Sequence, residues 1–79
     1  MKVQLLTPAK TLFDGTAFMV EVPGAKGRFQ MLDHHAPIVS VLCAGIVRIV
    51  LQDNSEQLFE ITGGVIELRN DIITILAEQ

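Results

Sequence analysis

GGVIELRNDIITILA, residues 63–77, decides the fold of this chain. Asn70-Asp71 at its centre is a turn signal, because both side chains satisfy nearby backbone and tolerate unusual dihedrals. Before the turn, Ile66 and Leu68 alternate with Glu67 and Arg69, a period of two that suits a strand with one buried face. After it, residues 72–76 are apolar on both faces apart from Thr74. A strand of that kind is covered on both sides, by a second sheet and by a partner. Gly63-Gly64 reads as a bulge or tight turn opening the first strand.

The same grammar extends outward. Turn signals recur at Asp14-Gly15, Pro23-Gly24 with Gly27, Asp33 to Pro37, Ala44-Gly45, Asp53-Asn54-Ser55 and Gly63-Gly64, roughly every 8–10 residues, the rhythm of a sandwich or barrel. Between them, Phe18, Val20 and Val22 share one face, with Met19 and Glu21 on the other. Val47, Ile49 and Leu51 point inward, leaving Ile46, Arg48, Val50 and Gln52 outside. No stretch of ten residues makes an amphipathic helix. The expectation is all-β: one domain over residues 1–79, a single small β-sandwich of about eight to ten short, mostly antiparallel strands.

Composition narrows function. A chain of 79 residues with 49% hydrophobic and 19% charged side chains has more apolar material than one small core hides, which hints at a partner surface. A net charge of −3, with four Phe and no Tyr or Trp, argues against nucleic acid, whose binders combine basic grooves with aromatic platforms. The apolar run at residues 46–51 is interrupted by Arg48 and is too short to span a bilayer. Met1-Lys2 leads into only a few apolar residues before Thr7-Pro8, so a soluble protein without a secretory signal is expected. The single cysteine, Cys43, sits in the apolar run VSVLCAG and is expected to be a buried, inert thiol of a reducing compartment.

Three stretches offer chemistry. Asp33-His34-His35 carries metal-ligand side chains, but adjacent histidines on extended backbone diverge, and no Cys pair or third His completes a zinc site. Ser40 and Cys43 lie near His35 without the nucleophile elbow or oxyanion loop that acyl transfer needs. Pro23-Gly24-Ala25-Lys26-Gly27 could suggest a phosphate cradle, yet the following RFQML reads as a strand and not as a helix. No catalytic residue, cofactor site or metal site is expected.

The turns also come in a recognisable order. Thr7-Pro8, Leu12-Phe13-Asp14-Gly15, Val22-Pro23-Gly24-Ala25-Lys26-Gly27-Arg28-Phe29, His35-Ala36-Pro37, Gly45-Ile46-Val47-Arg48-Ile49, Gly63-Gly64-Val65-Ile66-Glu67-Leu68 and Asn70-Asp71-Ile72-Ile73 together resemble the N-terminal domain of the epsilon subunit of F-type rotary ATP synthases. The resemblance covers essentially the whole chain. It implies a non-catalytic central-stalk subunit that binds the gamma subunit, rests on the c-ring and meets the αβ subunits only indirectly. On that model it couples ring rotation to gamma, peripherally, at the cytoplasmic face of a bacterial plasma membrane. A stand-alone β-sandwich that binds another protein or a ligand is the alternative.

By position, the resemblance implies a c-ring contact at Lys26, Gly27 and Arg28, and a gamma contact at Thr7, His35 and Ser40. Two departures stand out. Many relatives carry acidic residues beside the second glycine of the Pro-Gly-x-x-Gly turn, where this chain has Lys26 and Arg28. The usual Gly-His-Ala-Pro is His34-His35-Ala36-Pro37 here, so a histidine stands where a glycine would take a positive φ. Relatives often continue into a two-helix hairpin after the sandwich; this chain is expected to lack that helical domain and its mode of inhibition.

Overall fold

The computed structural model describes residues 1–79 and has nine strands and no helix. They are β1 (Lys2–Leu6), β2 (Thr11–Thr16), β3 (Met19–Gly24), β4 (Gly27–Leu32), β5 (Ile38–Leu42), β6 (Gly45–Val50), β7 (Glu56–Ile61), β8 (Gly63–Arg69) and β9 (Ile72–Glu78). Hydrogen bonding links them in the order β2-β1-β9-β8-β5-β3-β6-β7, with β4 along the other edge of β3. The first and last strands, β1 and β9, form the one parallel pair; the rest are antiparallel, as expected.

A single mixed sheet makes both layers of the sandwich. β3 meets β6 through Met19, Val20 and Glu21, but meets β5 only through Gly24 and Leu42. At that thin junction the sheet folds over. β2-β1-β9-β8-β5 then face β4-β3-β6-β7 across a shared core. One layer contributes Val3, Leu5, Ile66, Leu68, Ile73 and Ile75, the other Val20, Val22, Met31, Val47, Ile49 and Ile61, each at most 2% exposed. No polar side chain is buried with them, so the core carries no desolvation penalty to offset.

The opening stretch folds as a hairpin. Asn70 and Asp71 have φ of 53° and 61°, the paired left-handed residues of a type I′ turn whose twist matches the flanking strands. Ile66, Leu68, Ile73 and Ile75 enter the core. Gly63-Gly64 forms no bulge against β9: Gly63 pairs with Glu78 and Gly64 with Ala77 in an unbroken ladder. Its tightness lies elsewhere, since Thr62 alone separates β7 from β8.

Four side chains differ from the sequence reading. Phe18 is 46% exposed and does not share the buried face of Val20 and Val22, because it precedes β3 and donates its N–H to Val50 O at 2.8 Å. Met19 and Val50, expected outside, are each 8% exposed; they are cross-strand partners and shield each other. Cys43 is exposed. The inward alternation of β5 ends at Leu42, and Cys43 falls in the two-residue link to β6, its N–H donated to Pro23 O at 2.9 Å.

Candidate functional site: an apolar row on the outer face

Strand register assembles one surface that no single segment contains. On the face turned away from the core, Val41 of β5 lies beside Val65 of β8, Val65 beside Leu76 of β9, and Leu76 beside Leu6 of β1. Val41, Val65 and Leu76 are 61%, 42% and 52% exposed, and Leu6 is half-buried. Shallow grooves follow the row. One, of about 550 Å³, is lined by Val41, Val65, Leu76 and Glu78; another, of about 360 Å³, by Leu6, Thr7, Pro8 and Leu76. At about 2 kcal/mol per fully buried aliphatic side chain, covering the exposed half of these four would contribute on the order of 4 kcal/mol. β9 is thus covered on its core face and open on the other.

The residues implied by the family resemblance take distinct positions. Thr7 ends the row, with its hydroxyl donating to Lys10 O and accepting the Lys10 N–H, both at 3.0 Å. Ser40 alternates with Val39 and Val41 and pairs with the core residue Ile66, so it lies on the opposite face of β5 from the row. His35 stands in the exposed loop before β5 and donates from Nδ1 to Ala36 O at 2.8 Å. These three do not converge. Lys26, Gly27 and Arg28 belong to the β3–β4 hairpin, where Gly24 pairs with Gly27 and Gly27 has φ of 129°. Arg28 reaches Glu21 at 3.5 Å, within a network in which Arg48 bridges Glu21 and Glu56. Ala25 donates its N–H to Val41 O at 2.9 Å, which ties this basic turn to one end of the apolar row.

Leu6, Val41, Val65 and Leu76 carry the surface, and sequence reasoning did not place them in a site. The available signal was residues 72–76, apolar on both faces, together with the run IVSVL at residues 38–42. Two-sided apolar strands in so short a chain leave one face for something else.

The Asp33-His34-His35 stretch divides its side chains among separate tasks. Asp33 accepts a hydrogen bond from the α-ammonium of Met1 at 2.7 Å, which holds its carboxyl below the usual carboxylate range despite partial desolvation. His34 has φ of 64° and donates its backbone N–H to Asp71 Oδ1 at 3.2 Å. No group of three His, Cys, Asp or Glu side chains is placed to hold a metal.

The depressed Asp33 pKa contributes stability that is present above the unfolded value of about 3.9 and is lost as pH falls through the folded value. Thermal melts of wild type and Asp33→Asn should differ at pH 7 and converge in acid; a gap that persists below the folded pKa would refute this. For His34, the left-handed backbone costs a non-glycine residue about 1 kcal/mol, while glycine adds about 0.5–1 kcal/mol of unfolded-state entropy. His34→Gly should therefore stay within about 1 kcal/mol of wild type in urea. His34→Val, β-branched at positive φ, should destabilise by about 2 kcal/mol. Equal stabilities for the Gly and Val variants would refute that.

Fold and surface together define a small β-sandwich domain with an exposed apolar row on its outer face. The chain belongs to the family of ATP synthase delta/epsilon chain β-sandwich domains, whose model matches residues 1–79. It is 39% identical over 77 residues to the ATP synthase epsilon chain of Chlorobium limicola, covering 98% of this chain and 88% of that protein. With the ATP synthase epsilon chain of Rickettsia typhi it shares 35% identity over 80 residues, covering 99% and 73%. Among solved structures, a chain of the Euglena gracilis mitochondrial ATP synthase superposes with a TM-score of 0.90 at 15% identity, and 98% of this chain spans 49% of that one. A chain of the Tetrahymena thermophila mitochondrial ATP synthase central stalk and c-ring gives 0.86 at 20% identity, covering 100% and 63%. At such identities the two structures speak to the fold.

Proposed function

We propose that this chain is a non-catalytic rotor subunit of an F-type ATP synthase, which fastens the gamma subunit to the c-ring so that ion-driven rotation of the ring reaches gamma. The observation that carries this reading is the exposed row of Leu6, Leu76, Val65 and Val41, a surface without catalytic geometry in a domain of the epsilon-chain family. The row is the gamma contact. The hairpin bearing Lys26, Gly27 and Arg28 is the ring contact. The hydrogen bond from Ala25 to Val41 supports a rigid connection between them, and a permanent assembly of this kind typically buries well over about 800 Å² per partner. Nucleotide chemistry lies with other subunits, and the chain sits peripherally at the cytoplasmic face of a bacterial membrane, held there through the complex.

The test is capture of the gamma subunit and the c-ring from the same organism by the tagged chain. Lys26→Glu and Arg28→Glu should each weaken ring capture several-fold and leave binding to isolated gamma unchanged. Arg28→Glu also sets a carboxylate beside Glu21, so Lys26→Glu, whose parent makes no ion pair, is the cleaner variant. Unaltered ring capture by both variants refutes the assigned ring contact. Failure of the wild type to bind gamma refutes the whole reading.

A further inference from the structure

The apolar row has a geometry and a charged border that specify what lies on it. Resting on the reading above, we propose that the gamma segment seated there is an α-helix crossing the strands, with an apolar ridge flanked on both sides by Lys or Arg.

Spacing argues for the helix. Adjacent strands are about 4.8 Å apart, so Leu6, Leu76, Val65 and Val41 form a line of four apolar side chains about 14 Å long. A helix advances about 1.5 Å per residue, and its i, i+3, i+7, i+10 ridge therefore recurs about every 5 Å. A strand repeats on one face only about every 6.7 Å and falls out of step after two contacts. Edge pairing is also closed off along the row itself, because β1, β9 and β8 each have a hydrogen-bonded strand on both sides and Val41 O on β5 accepts the Ala25 N–H at 2.9 Å.

Charge argues for the border. Glu78 lies two residues beyond Leu76 on β9, paired with Gly63, and Glu67 lies two residues beyond Val65 on β8, paired with Thr74. β8 and β9 are antiparallel, so the two carboxylates stand on opposite sides of the row, each about 6.7 Å from it. Both are exposed. The row containing Glu67 starts at the exposed Val39 and continues through Thr74 and Gln4 to Asp14. None of Glu67, Glu78 and Asp14 joins the ion pairs of the fold, which use Asp33, Asp71, Glu21 and Glu56. Unpaired carboxylates at the rim of an apolar contact select a basic border, mainly through association rate and register.

Affinity for the gamma subunit of the same organism, measured at low salt and at about 1 M, where the Debye length shrinks to about 3 Å, separates the possibilities. The expected result is binding that weakens with salt. Glu67→Gln combined with Glu78→Gln should bind about fivefold more weakly at low salt and lose much of the salt dependence. Hydrogen exchange on gamma should map protection to a helix carrying Lys or Arg on both flanks of an apolar ridge. Thermal melts of the double variant confirm that it folds. If binding ignores salt and the double variant matches wild type, while Leu76→Glu abolishes binding, the basic border is wrong and the gamma contact stands. If the protected gamma segment is a strand, the helix is wrong. If wild type binds no gamma and instead forms a dimer that Leu76→Glu dissociates, both the proposed function and this inference fall.

Discussion

Gly64→Ala is expected to lose about 4 kcal/mol of folding stability, enough to leave a domain of this size largely unfolded in mild urea. The cause is local and geometric. Gly64 has φ of 152°, and a Cβ built on it would lie 2.4 Å from Leu76 O and 3.0 Å from Ala77 Cα. Both obstacles are backbone of β9, which cannot swing aside as a flexible side chain would. β9 is itself held on its other edge by β1, so moving it disturbs the ladder that joins the two ends of the chain. With a urea m-value of about 1 kcal/mol/M, the midpoint should fall by about 3–4 M. Gly27→Ala separates collision from dihedral strain. Its φ is 129°, but a Cβ there meets nothing within 4 Å, so it should cost about 1–2 kcal/mol. A Gly64→Ala midpoint within about 0.5 M of wild type would sink the close-approach account.

The second large effect concerns association. Leu76→Glu should leave the fold within about 1 kcal/mol of wild type, because the side chain is 52% exposed and contributes little to the core. Binding to gamma should nevertheless weaken by about 30-fold or more, since the variant places a carboxylate in the middle of the apolar row, where a partner would have to desolvate it. Val41→Glu, two strands away in the same row, should behave alike. Leu58→Glu is the control. Leu58 is equally apolar and 60% exposed, but it lies on β7 in the other layer, and its replacement should leave gamma binding unchanged. Titration calorimetry with the three variants decides the matter. Wild-type affinity for Leu76→Glu, or equal damage from Leu58→Glu, would overturn the placement of the gamma contact.

Much of the fold was legible because strand periodicity and turn chemistry are written locally. Ile66 and Leu68 announce a buried face two residues at a time, and Asn70-Asp71 supplies the pair of positive φ values that a tight hairpin needs. His34, suspect only because a glycine was expected, does occupy the left-handed region. The misreadings fall at strand ends or just beyond them: Met19 opens β3 and Val50 closes β6, where the two shield each other. Phe18 and Cys43 sit one residue outside a strand, where a period of two no longer assigns a side.

The surface was less legible. Motif matching drew attention to Thr7, His35 and Ser40, which the fold sends to a turn, a loop and the opposite face of β5. The residues that form the row are ordinary aliphatics. A Val or Leu exposed on one strand carries no signal by itself; it gains meaning only when its neighbours on three other strands are apolar too.

By itself the sequence determined an all-β chain of about eight to ten short strands, alternation in three of them, most of the turns, an apolar surplus and the family resemblance. Tertiary structure alone decided that β1 and β9 run parallel, that one sheet folds over at Gly24 and Leu42 to make two layers, and that Leu6, Val41, Val65 and Leu76 meet. The physical reason is the range of each rule. Periodicity reflects the pleat within one strand, whereas pairing joins segments dozens of residues apart, and its register is set by the collective fit of the core.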